Sequence, residues 1–233
     1  MVKIKADFSY IIKKSGKIPK NIVKCKRKIK GGIKLKLLFA TKNPAKVKSY
    51  ENELKKHQID LISIKDLSIE LDIEESGKNS LENAYIKAKA YYEETKIPTL
   101  GMDVSLIIEE LPPEKQIGTH IRRINGKYLS DEEEIEYFTK LAKEYGGKLT
   151  AKWVYGIVIY NENGAKEYSY SKDNFYFVDK PSNKINPGYP LDSISIIPEY
   201  NKYLVDLTKE EKEKLNKDDK EKRDLIEFIV ENI

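Results

Sequence analysis

Lys36-Leu37-Leu38-Phe39-Ala40-Thr41-Lys42-Asn43-Pro44-Ala45-Lys46 is the stretch on which the fold turns. Leu37, Leu38 and Phe39 form a short continuous apolar run of the kind that makes a strand buried on both faces. Beyond Lys46, Val47, Tyr50 and Leu54 recur at helical spacing, so Thr41 to Lys46 sits at a strand-to-helix turn. N–H groups left unpaired at such a helix start, with the helix dipole behind them, make an anion site. Lys46 adds a charge to it and the Thr41 hydroxyl a donor. The turn suits a polyphosphate; the plainer alternative is an ordinary strand–helix connection with solvated lysines.

Outward from this turn, strands and helices alternate and then strands cluster. Ile59 to Ile64 reads as a second strand, and Asn79 with Glu82 caps a helix whose apolar stripe is Leu81, Ala84, Tyr85, Ala88 and Tyr92. Ser130 with Glu133 is a capping box ahead of Ile135, Phe138, Leu141 and Tyr145, and Gly146-Gly147 stops that helix. From Leu149 the period changes. Trp153 to Tyr160, a turn at Asn161 to Gly164, Ala165 to Tyr170 and Phe175 to Val178 read as a hairpin or meander. Thr208 with Glu211 caps a short helix, and Leu225, Phe228 and Ile229 face inward from a terminal one. The order predicts an α/β fold built on a long, mixed, partly twisted β-sheet flanked by helices.

The 233 residues, 39% hydrophobic, suffice for one sizeable core. No apolar stretch has the length of a membrane span, and the first residues lack the apolar segment of a signal peptide. A soluble, cytoplasmic protein is therefore expected. Cys25 is the only cysteine, which excludes an internal disulfide and a multi-cysteine metal site, and His57 and His120 are the only histidines. Any metal should be a hard cation on oxygen ligands. Residues 1–34 carry twelve Lys/Arg against Asp7 alone, a net +11, so the rest of this +5 chain carries −6. Gly31-Gly32 marks the boundary, dividing a basic N-terminal extension, 1–34, from a domain spanning 35–233. Such an arm could follow the phosphates of a nucleic acid or meet an acidic partner; its isoleucines also suit partial folding onto the body.

Several groups far apart in sequence look like parts of one phosphate site. Asn83 and Lys87 are four apart and share a helix face, where Lys87 needs an anionic partner or a route to solvent. Asp103 is a lone carboxylate in Leu100-Gly101-Met102-Asp103-Val104-Ser105-Leu106, and a buried carboxylate is costly unless paired or bound to metal. It could bind a metal, act as a base, or simply be a cap or turn residue. Glu75, in Glu74-Glu75-Ser76-Gly77, is a second candidate oxygen ligand or a loop carboxylate. Lys212 lies in a charged run where a solvated face is the usual outcome.

Taken together, Thr41-Lys42-Asn43-Pro44-Ala45-Lys46, Glu75-Ser76-Gly77 with Leu81-Glu82-Asn83-Ala84-Tyr85-Ile86-Lys87-Ala88, and Asp103 resemble the successive motifs of the inosine/xanthosine triphosphate pyrophosphatase (Ham1-like) family. The resemblance covers roughly residues 35 to 233. It implies Mg²⁺-dependent hydrolysis of a nucleoside triphosphate such as ITP, XTP or dITP between its α and β phosphates, giving the monophosphate and pyrophosphate. It further implies that Thr41, Asn43, Lys46, Asn83 and Lys87 bind the triphosphate, that Glu75 holds metal, and that Asp103 holds metal or activates water with Lys87 beside it. Tyr189, Asp192 and Lys212 fall where the family binds the rest of the nucleotide. Homodimers are common in the family.

The departures cluster on the base side. Asn216-Lys217-Asp218 stands where the family usually has Ser-His-Arg, and an acidic group cannot replace an arginine donor toward a base carbonyl. The Gly-Phe-Gly-Tyr-Asp-Pro loop appears as Asn186-Pro187-Gly188-Tyr189-Pro190-Leu191-Asp192-Ser193, with Asp192 in register only after two inserted residues. Met102 stands where many members have an acidic residue, and Arg123 falls where they have an arginine. The phosphate half is kept and the base half altered. An active enzyme with changed base choice, a catalytically weak nucleotide-binding paralogue and a nucleic-acid-binding protein using its basic arm are the three readings this leaves.

Overall fold

The computed structural model describes residues 34–233 except Glu70, Asn125, Asp218 and Asp219, and excludes the side chains of Asn216 and Lys217. The basic extension and its nucleic-acid reading therefore lie outside the described residues, as does Asp218. Ten strands are described: β1 (Leu35–Phe39), β2 (Ile59–Ser63), β3 (Thr99–Ile108), β4 (Arg123–Ile124), β5 (Lys127–Tyr128), β6 (Lys148–Asn161), β7 (Gly164–Lys172), β8 (Tyr176–Val178), β9 (Ser195–Ile197) and β10 (Lys202–Tyr203). The helices are α1 (Pro44–Lys56), α2 (Ser80–Thr95), α3 (Asp131–Glu144), α4 (Lys209–Lys217) and α5 (Lys220–Asn232).

Eight strands form one mixed sheet in the order β10-β9-β8-β6-β3-β1-β2, with β7 also on β6. β1 runs parallel to β2 and β3, whereas β3 is antiparallel to β6 over its whole length. β6 is the spine. Its first three residues pair with β8 and those from Trp153 onward with β7, so the sheet divides along this strand. The division gives separate cores. One gathers Leu106, Ile108, Leu149, Phe177, Leu191 and Ile194 under Ile135 and Phe138 of α3. A second places Leu37, Phe39, Leu100, Met102 and Ile157 under Tyr50 and Leu54 of α1 and Leu225 and Ile229 of α5.

The apolar run behaves as its composition predicts: Leu37, Leu38 and Phe39 are each fully buried. Leu38 turns to the opposite face, toward Tyr91 of α2, because alternate strand residues face opposite sides. The helix starts read from sequence are also present. Asn79 accepts from Glu82 N at 2.9 Å, Ser130 and Glu133 form a reciprocal capping box, and Thr208 and Glu211 exchange bonds of 3.2 and 2.8 Å.

Two glycines set how α2 lies on the sheet. A Cβ on Gly101 would stand 2.1 Å from Ala84 O, and one on Gly156 2.3 Å from Leu81 N. With Ala84 and Ala88 fully buried as well, helix and sheet meet at backbone distance. Asp103, opposite Gly156 on β6 and two residues past Gly101, then faces the helix directly. No helix among the described residues is long and apolar enough to cross a membrane.

Candidate active site

The turn after β1 is built by its own side chains. Asn43 caps α1 by accepting from Ala45 N at 2.9 Å, and Asn43 N donates to Thr41 Oγ1 at 3.2 Å. Pro44, at the first helical position, has no N–H to leave unpaired. The first donors of the helix are thus removed or capped, and the expected backbone anion site depends correspondingly more on side-chain charge.

That charge converges from other elements. Lys87 of α2, its side chain only 13% exposed, donates to Asp103 Oδ1 at 2.9 Å and lies 3.4 Å from Glu75 Oε2. Asn83, one turn earlier, donates through Nδ2 to Asp103 Oδ2 at 3.1 Å and accepts through Oδ1 from Gly77 N at 2.8 Å. Each oxygen of Asp103 thus accepts one bond, and both donors come from the same helix face. Gly77 allows this geometry: a Cβ there would stand 2.5 Å from Asn83 Oδ1. Holding Gly77 against the start of α2 keeps Glu75, two residues back, within reach of Lys87.

Lys46 completes the group. Its residue is partly exposed, but its ammonium is largely removed from solvent, and this burial pushes its pKa below the ordinary lysine range. Repulsion from Lys87 lowers it further, while attraction to Asp103 and Glu75 acts in the opposite sense. Two ammonium groups thus act on one another in the field of two carboxylates, a repulsion that a further anion relieves.

Asp103 lies in the middle of a ten-residue strand and is neither a cap nor a turn residue. Met102, its neighbour, points to the opposite face and is 2% exposed among Phe39, Leu54 and Ile157. An acidic residue at position 102 would enter that apolar core from this strand and could not join Asp103. Among the described residues, no three or more His, Cys, Asp or Glu are grouped to hold a metal. Glu75 and Asp103 remain as two hard oxygen donors near the Thr41–Lys46 turn, a set that fits a hard divalent cation.

Tyr189, Asp192 and Lys212 form a second group. Tyr189 N donates to Asn186 O at 2.9 Å, closing a turn with Pro187 and the left-handed Gly188 (φ +83°) at its corners. Pro187-Gly188, in register with the Phe-Gly of the resembling motif, therefore forms a tight turn. Burial raises the Tyr189 phenol, which meets Ser49 of α1, three residues beyond Lys46. Asp192 accepts from Asn186 Nδ2 at 2.8 Å; burial raises its carboxyl, opposed by that bond and by the charge of exposed Lys212. Through Ser49 this group reaches α1, the helix that follows the Thr41–Lys46 turn.

Sequence reasoning missed a third group. Arg122, rather than exposed Arg123, reaches Asp131 Oδ1 at 2.7 Å and Glu134 Oε2 at 3.1 Å. Glu134 is 2% exposed, and burial pushes its carboxyl up to about 7 against the pull of Arg122. Its place at the fourth position of an acidic helix start resembled ordinary dipole complementation, and nothing nearby in sequence distinguished it.

Residues 37–228 match the sequence profile of the Ham1 family. A dITP/XTP pyrophosphatase of Halalkalibacterium halodurans is 31% identical over 180 residues, covering 77% of this chain and 91% of that protein. Another, of Aquifex aeolicus, is 29% identical over 206 residues, covering 84% and 96%. A HAM1 protein from Coxiella burnetii shares the fold with a TM-score of 0.65 at 23% identity, over 84% of this chain and 99% of that one.

Proposed function

The chain belongs to the Ham1 family, and on that premise we propose that it is a nucleoside triphosphate pyrophosphatase acting on 6-keto purine nucleotides such as ITP, XTP and dITP. The observation that carries this reading is Lys87, held between Glu75 and Asp103 beside the Asn43-capped start of α1. Phosphoryl transfer needs little covalent help from a protein; positioning and charge neutralisation supply most of the acceleration.

In this mechanism Thr41, Asn43, Lys46, Asn83 and Lys87 hold the triphosphate against the turn. Asp103 accepts a proton from a water that attacks the α-phosphorus. The new bond joins water oxygen to that phosphorus, and the bond from it to the bridging oxygen breaks. Pyrophosphate leaves with the electron pair, its charge met by Lys46 and Lys87. Glu75 and Asp103 would hold Mg²⁺, which when bound neutralises phosphate charge and orients the phosphate oxygens. Tyr189, Asp192 and Lys212 serve the remainder of the nucleotide. A cytoplasmic homodimer, with residues 1–34 an extension of the 35–233 domain, completes the proposal.

The test is a panel of ITP, XTP, dITP, GTP and ATP with Mg²⁺, scored for pyrophosphate and monophosphate. Release is expected from the 6-keto purines first, with kcat reduced at least ~100-fold by Asp103→Asn. Absence of pyrophosphate from every member would sink the reading.

A further inference from the structure

The loop from Asn186 to Ser193 is pinned from two sides by residues that the proposed reaction does not use. On one side stands α3. Gly188 N donates to Asp131 Oδ2 at 3.2 Å, while Asp131 Oδ1 meets Arg122 Nη2 at 2.7 Å. Arg122 Nε in turn lies 3.1 Å from Glu134 Oε2, an ion contact rather than a hydrogen bond. The same helix buries Ile135 and Phe138 with Leu191 of the loop, so its grip is charged at the tip and apolar at the base. A charged acceptor makes the bond to Gly188 stronger than a neutral one would.

On the other side Tyr189 meets Ser49, whose own hydroxyl donates to Ala45 O at 2.8 Å in the first turns of α1. Through Tyr189 the loop therefore reaches the first turns of α1. Its position depends on a bond from a helix belonging to the other core.

We propose that Asp131, held by Arg122, is a positioning residue for nucleotide binding: it fixes the Pro187-Gly188 turn so that Tyr189 stays against α1 beside Lys46. The inference rests on the reading of Thr41 to Lys46 as the triphosphate site. Asp131 touches neither Asp103 nor Lys87, so its loss weakens ground and transition states alike. The effect belongs in KM and leaves kcat alone.

The experiment compares wild type, Asp131→Ala and Asp131→Asn in steady-state hydrolysis of the best nucleotide of the panel. It adds inhibition by inorganic triphosphate and hydrogen exchange over residues 186–189. Asp131→Ala is expected to raise KM about 5- to 20-fold with kcat within about twofold. Inhibition by triphosphate stays unchanged and exchange across the turn accelerates. Asp131→Asn keeps an acceptor without the charge, and its KM should rise about 2- to 5-fold; it serves as the test variant should the alanine form not fold. Wild-type KM and wild-type exchange in the variants would overturn the proposal, as would loss of kcat at constant KM or an equal loss of triphosphate binding. An inactive wild type would overturn the triphosphate reading instead, and exchange at 186–189 would then decide whether Asp131 holds the turn.

Discussion

Lys87 has two carboxylates for neighbours and a second lysine within electrostatic range, and this explains why a charged group sits on a helix face that otherwise packs inward. A lysine so placed would be costly without anions around it. The same rule gives a sharper expectation at Glu134, whose carboxyl is pushed up to about 7 from an ordinary 4.5. Its folded pKa exceeds its unfolded one, so between these values the folded protein holds a proton that the unfolded chain releases. Stability therefore falls as pH rises through that window and levels off above about 7, by on the order of 3 kcal/mol. Thermal melts from pH 5 to 8 should show this slope in the wild type and a flatter one in Glu134→Gln. Equal slopes would contradict it.

Among the elements, α2 and its seat on the sheet organise the site. Asn83 and Lys87 meet Asp103 because Gly101 and Gly156 let the helix backbone approach β3 and β6. Gly156→Ala introduces a Cβ 2.3 Å from a backbone nitrogen, which no side-chain rotation can relieve. It should cost about 2–3 kcal/mol in urea unfolding. Activity measured well below the unfolding midpoint should drop as well, since Lys87 moves with the helix. A variant as stable and as active as wild type would show that the helix does not depend on this contact. Helix positions and starts were legible in sequence because caps and apolar stripes are local. Asn79, Ser130 and Thr208 each act within three residues of themselves.

At the scale of the molecule, every proposed site residue lies between Thr41 and Lys212, within the described fold. Removal of residues 1–34 should leave nucleotide hydrolysis within about twofold and abolish any salt-sensitive nucleic-acid binding. Binding that persists after truncation, measured by fluorescence anisotropy at two salt concentrations, would clear the arm of that role. Much of the candidate site could be nominated in advance: Thr41, Asn43, Lys46, Glu75, Asn83, Lys87 and Asp103 stand in motifs whose order and spacing are linear properties of the chain, and folding brings Glu75, Asn83, Lys87 and Asp103 into contact. The sequence by itself determined the alternation of strands and helices, the caps and the buried run at Leu37 to Phe39, and it nominated the residues proposed to hold phosphate. Only the tertiary structure decided that Asp103 is mid-strand, that Met102 faces away from it, and that Arg122 and Asp131 hold the Pro187-Gly188 turn. Those outcomes depend on the pairing of β3 with β6 and on the packing of α3 against a loop more than forty residues later in the chain. Contacts of that range leave no periodicity in the sequence, because the partner that determines each side chain's environment is supplied by folding.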